Sequence, residues 1–305
     1  MIRLSEKRKA TLRWVFTGSQ GIRSGWSALI FVLVLMVPTM VAHFIGTWLH
    51  ITPGRELMPW RLLGGEALSF VLVMAATYVM ARIERRSVWS YGLTTQGPGG
   101  HFLFGWVGGF ISLSLLVGVL TAGGYLVFGG LALHGPAIVL YGAVWLVAFA
   151  LVGCFEETMF RGYLQTTLAR GMGFWPAAVV MSVLFGAAHI GNGGESVLGI
   201  AEVVVAGLVL CLLLRVTGSL WMSIGFHGAW DWAQSFFYGT PDSGFLAQRH
   251  LLTSHAAGSI RFSGGSAGPE GSALAPLAMV AGLLILVWAS RRAGMFARRP
   301  ALTAV

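Results

Sequence analysis

The sequence predicts an all-α fold, a polytopic membrane protein built as a bundle of about eight transmembrane helices. Three observations carry this. Of 305 residues, 56% are hydrophobic and only 10% are charged, where a soluble domain carries about 25% charged residues. The apolar runs reach the roughly 20 residues that a bilayer crossing takes. The 43 glycines are scattered through those runs, where small residues let membrane helices approach closely.

The apolar spans fall at about 26–49, 61–81, 102–128, 137–160, 174–189, 196–214, 219–238 and 272–290. A basic stretch with Arg3, Lys7, Arg8, Lys9, Arg13 and Arg23 precedes the first. That span is longer than a signal-peptide core and lacks a small-residue cleavage site, so it reads as a retained helix. With the N-terminus inside, eight spans leave Arg82, Arg85, Arg86, Arg215, Arg291, Arg292, Arg298 and Arg299 on the cytoplasmic side. The other side collects only Arg55, Arg61, Arg249 and Arg261. Both termini are then cytoplasmic, and the expected location is the plasma (inner) membrane. The expected division is a basic segment 1–25, a transmembrane domain 26–290 with its working core at about 140–240, and a basic tail 291–305.

The net charge of +9 does not point to nucleic acid, because the basic residues flank apolar runs and form no stripe on one domain. The lipid bilayer is the partner they fit. Cys154 and Cys211 fall inside apolar runs, which excludes a disulfide framework and makes them small buried side chains. Residues 239–271, rich in Gly and Ser, read as one long mobile external loop. They contain Gly264-Gly265-Ser266-Ala267-Gly268, which fits the G-x-S-x-G pattern; that pattern needs a strand-to-helix elbow, and no strand is expected here.

Ionisable side chains inside a bilayer are costly, about 2.5–3.5 kcal/mol each on insertion scales, and so mark function. The fourth, fifth and seventh spans hold a cluster of them; His43, Glu66 and Glu202 are isolated cases elsewhere. In Cys154-Phe155-Glu156-Glu157-Thr158-Met159-Phe160-Arg161, Glu157 and Arg161 are four apart on one helical face and can neutralise each other. Glu156 lies about 100° away and is left free to act as a general base. The fifth span ends in Phe185-Gly186-Ala187-Ala188-His189. Folding a hairpin at Gly171-Met172-Gly173 brings Glu156 and His189 to nearly equal depth. In the seventh span His227 and Asp231 are four apart, so that the carboxylate can orient the imidazole and fix its tautomer.

Two chemistries fit this set. His189, His227 and Glu156 could hold a metal such as Zn²⁺ with an open water position. Alternatively, Glu156 could deprotonate water directly while the histidines orient it and stabilise the oxyanion. Both hydrolyse by an activated water, since no Ser or Cys stands in a convincing nucleophile context.

The E-E-x-x-x-R of Glu156, Glu157 and Arg161, the F-x-x-x-H of Phe185 and His189, and the H-x-x-x-D of His227 and Asp231 occur in that order. Together with Phe160-Arg161-Gly162 they resemble the motifs of the CPBP family of intramembrane proteases (ABI family), which includes the CAAX prenyl proteases and bacteriocin-processing enzymes. The resemblance covers about residues 140–240. It implies a helical bundle of about eight spans with an intramembrane cavity, and a peptide or protein substrate in or at the membrane. It implies that Glu156 activates water with help from His189, while His227 and Asp231 stabilise the oxyanion. In relatives the last position is Asn or Asp, and an Asp needs a proton to donate there. Family analogy also has the cavity open toward the cytoplasm. The rival readings are a proton-coupled carrier that uses Glu156, His189 and His227 as a relay, and a non-catalytic immunity or scaffold member of the same fold.

Overall fold

The computed structural model describes residues 14–18, 21–49, 56–93 and 96–295. The basic positions Arg3, Lys7, Arg8, Lys9, Arg13, Arg55, Arg298 and Arg299 lie outside the described residues. Among the described residues eight helices of 13 residues or more succeed one another: α1 (Ser24–Trp48), α2 (Pro59–Ile83), α3 (Pro98–Ala122), α4 (Pro136–Met172), α5 (Phe174–Ala188), α6 (Val197–Thr217), α7 (Leu220–Trp232) and α8 (Ala275–Arg292). The protein is an all-α polytopic membrane protein. Six of these helices are long and apolar enough to cross a bilayer, namely all but α5 and α7.

The two short ones differ from the full-length spans that hydropathy suggests. Helix α5 has 15 residues, about 22 Å at the usual rise. Helix α7 continues beyond Trp232 into one π-helical turn, Ala233–Phe237. The third expected span also shortens, because α3 stops at Ala122 and the chain turns into strand β1 (Leu126–Leu131).

Strand β1 pairs antiparallel with β2 (Leu252–Ala256), with a bulge between Phe128 and Gly130. This corrects the reading of 239–271 as a mobile loop. The segment folds into a cap: Trp145 donates its indole N–H to Gln248 O at 3.1 Å, and Gln234, buried in the bundle, donates to Pro241 O at 2.8 Å. Its polar backbone is satisfied against the bundle, so it is ordered. Within the cap Ser266 sits on a 3₁₀ turn, Gly265–Ala267, and donates to Gly194 O at 2.8 Å. It stands on no strand-to-helix elbow.

Close helix contacts set the geometry of the interior. A Cβ at Gly153 of α4 would meet Ile224 O of α7 at 2.7 Å, and one at Gly228 of α7 would meet Phe149 O of α4 at the same distance. Only hydrogen at both positions lets the two backbones lie in contact. Helix α7 is therefore held against α4 beside the two glutamates.

The hairpin expected at 171–173 is present. Gly173, at φ +82°, lets α4 end and α5 begin without a break. At that same end, Arg170 donates to Glu84 at 2.8 Å, and Tyr163 and Tyr91 donate to the same carboxylate at 2.6 and 3.0 Å. Burial alone would raise the pKa of Glu84, but the hydrogen bond from Tyr163, the charge of Arg170 and the other donors outweigh it and hold the carboxyl below its ordinary value.

Candidate active site

Helix α4 is regular through Glu157 and then takes a π-helical course over Thr158–Gln165. Such wide turns are rare and recur at functional sites. This one begins directly after the glutamate pair and contains Arg161. Glu157 is fully buried; its Oε1 accepts from Arg161 at 3.0 Å. The guanidinium, also fully buried, lies 4.1 Å above the ring of Phe185. The expected Glu157–Arg161 pair is thus observed, with the F-x-x-x-H phenylalanine as its platform.

The same Glu157 Oε1 lies 3.0 Å from Nδ1 of His227. A carboxylate only accepts, so Nδ1 carries the proton. This changes one expectation: Glu157, on α4, orients the imidazole through Nδ1, whereas Asp231 lies on the other side, with Oδ2 3.5 Å from Nε2. Glu156 Oε2 is 3.7 Å from that same Nε2 and has no hydrogen-bond partner among the described residues. The exposed nitrogen of His227 therefore faces two carboxyls.

His189 sits just past the C-terminus of α5. Its Nδ1 lies 2.8 Å from Phe185 O. Because a carbonyl can only accept, Nδ1 bears the proton here too and Nε2 is left for a ligand. The rings of His189 and His227 pack edge-on against Phe185, with centroids at 5.0 and 5.8 Å.

Glu156, His189, His227 and Asp231 all line one cavity of about 310 Å³. Glu157 and Arg161 lie behind its wall. Among the described residues no three His, Cys, Asp or Glu side chains form a group that could hold a metal ion. The set His189, His227 and Glu156 is not among such groups: Glu156 Oε2 comes to 3.7 Å from His227 Nε2, and each imidazole packs against Phe185.

Four further carboxyls line the cavity, and sequence reasoning placed none of them there: Glu66 on α2, Glu202 on α6, and Asp242 and Glu270 in the cap. Six of the chain's 11 acidic residues thus face one space. Glu66 and Glu202 stand out in the sequence as isolated intramembrane charges, a signal that now has its explanation. Asp242 accepts from Ser235 Oγ at 2.9 Å, and Glu270 accepts from the amide of Ser243. Burial raises both carboxyls above their usual range, Asp242 to about 6.

Residues 138–233, about a third of the chain, match a family model described as type II CAAX prenyl endopeptidase Rce1-like. The matched segment contains all seven motif residues from Glu156 to Asp231, and the family resemblance read from them is borne out. The match marks the chain, in broad class, as an intramembrane endopeptidase. No curated protein and no solved structure matches it.

Proposed function

We propose that this chain hydrolyses peptide bonds in the membrane with a water activated by Glu156, without a covalent intermediate. The observation that carries the reading is Glu156 Oε2, without a hydrogen-bond partner among the described residues, beside Nε2 of His227 in a cavity that carboxyls line. Glu156 takes a proton from water as the oxygen attacks the scissile carbonyl. His189, its Nδ1 proton committed to Phe185 O, offers Nε2 to hold that water. The proton passes from Glu156 to Nε2 of His227, and the N–H so formed donates to the oxyanion. Asp231, its Oδ2 3.5 Å from Nε2, stabilises the imidazolium so formed. Collapse of the tetrahedral intermediate returns the proton to the departing amine. No step needs a metal, in keeping with the donor geometry.

The working unit extends past the expected core of about 140–240, since Glu66, Asp242 and Glu270 share the cavity. Orientation follows from charge. Arg82, Arg85, Arg86, Arg170, Arg215, Arg291 and Arg292 cluster at one end of the bundle, which we assign to the cytoplasm. The cap and the 189–196 connection roof the cavity at the other end. The cavity accordingly lies toward the non-cytoplasmic side, opposite to the side that family analogy implies. The placement of both termini inside rests on the same charge bias.

Quantitative mapping of protein N-termini in membranes carrying the wild type or Glu156→Gln tests the function. New termini within or next to transmembrane segments, present only with the wild type, are the expected result. Identical sets of termini would contradict it.

A further inference from the structure

We propose that Glu202, Asp242 and Glu270 form a subsite for a cationic side chain, lysine or arginine, of the peptide substrate. The inference rests on the peptidase reading above and names part of its substrate class. The three carboxyls come from separate places, α6 and two points of the cap, and converge on the cavity that Glu156 and His227 also line. They are deeply buried, with exposures of 1%, 8% and 4%. Glu202 Oε1 has no hydrogen-bond partner among the described residues.

Several carboxyls buried around one space repel one another, and buried charge is tolerated only when it is paired. The protein supplies little counter-charge. No lysine or arginine lines the cavity among the described residues, and Arg161 is committed to Glu157 behind the wall. His227 is already shared by Glu157, Glu156 and Asp231. Burial keeps Asp242 and Glu270 easier to protonate than usual, so the empty subsite stores protons that an incoming cation displaces. A metal ion is a poor fit, because no three-ligand group is formed. An ammonium or guanidinium on a flexible stem, with several donors for separated acceptors, suits it.

The test uses the purified full-length Glu156→Gln protein, so that binding is read apart from cleavage. Fluorescent octapeptides of alanine and leucine are compared by anisotropy, each carrying lysine or isosteric norleucine at one position in turn. One position should bind its lysine peptide about tenfold more tightly, and acetyl-lysine there should behave as norleucine. Adding Glu202→Gln and Asp242→Asn should erase the preference. Equal affinities at every position, or a preference that survives both substitutions, would overturn the proposal. Should the added substitutions prevent folding, the lysine-to-acetyl-lysine comparison decides it alone. A retained lysine preference in a wild-type protein that cleaves nothing would count against the peptidase reading and not against the subsite.

Discussion

His227 and Glu157 meet at 3.0 Å, and this contact ties a fully buried ion pair to a wet cavity. Glu157 serves two partners through one oxygen, Arg161 along its own helix and His227 across the helix interface. It therefore has a structural and a positioning role at once. Removing its charge leaves Arg161 buried without a counter-ion, a change that costs about 3–5 kcal/mol in proteins generally. Glu157→Gln should lower the thermal unfolding temperature in detergent markedly and reduce turnover, since the Nδ1 anchor of His227 weakens. An unchanged unfolding temperature would sever the link between the ion pair and the fold.

The two ring nitrogens of His189 can be separated by substitution. Asparagine keeps a donor near the Nδ1 position, whereas glutamine keeps polar atoms near Nε2. If Nε2 holds the attacking water, His189→Asn should lower kcat by about 10²-fold or more. His189→Gln should lose less. Equal losses would show that the contact with Phe185 O is the whole of its role.

The approach of α7 to α4 rests on two hydrogens. Gly153→Ala and Gly228→Ala should each destabilise by about 1–3 kcal/mol, as overpacking does, and should impair turnover by moving His227 from Glu157. Gly64→Ala, on α2 with nothing within 4 Å of the added carbon, is the matched control and should leave both unchanged. Thermal unfolding and peptidase rates on the same preparations check this.

Two carboxyls outside the membrane spans should give stability opposite pH dependences. The folded pKa of Glu84 is depressed, so its contribution is present above the unfolded value, about 4.3, and is lost as pH falls through the folded one. Asp242 is raised to about 6, so its contribution is complete below about 3.9 and is lost as pH rises through about 6. The unfolding-temperature advantage of wild type over Glu84→Gln should therefore shrink on acidification. Its advantage over Asp242→Asn should shrink between pH 5 and pH 7.5. A reversed trend in either pair would refute the corresponding assignment.

The sequence made the helices and the heart of the site legible for identifiable reasons. Apolar run length sets the six long helices, i to i+4 spacing sets Glu157 with Arg161, and the glycine turn at 171–173 sets the hairpin that levels Glu156 with His189. What it hid depended on contacts far apart in the chain. Nothing local reveals that Nδ1 of His227 turns to a glutamate 70 residues earlier. The π-helical course of Thr158–Gln165 leaves no mark in hydropathy. Gly and Ser abound in the cap and suggest mobility, yet β1, its pairing partner, lies more than 120 residues earlier, and its first residues fall within the third apolar run. Glu66, Glu202, Asp242 and Glu270 looked scattered because convergence on a cavity is a property of tertiary packing alone.

The central claim is that Glu156 activates the water that cuts the peptide. It is tested most directly with purified protein in liposomes and a peptide bearing a cleavage site found by terminus mapping. Wild type should cleave it, while Glu156→Gln, with an unfolding temperature close to that of wild type, should be slower by about 10³-fold or more. Cleavage by folded Glu156→Gln at the wild-type rate would contradict the account.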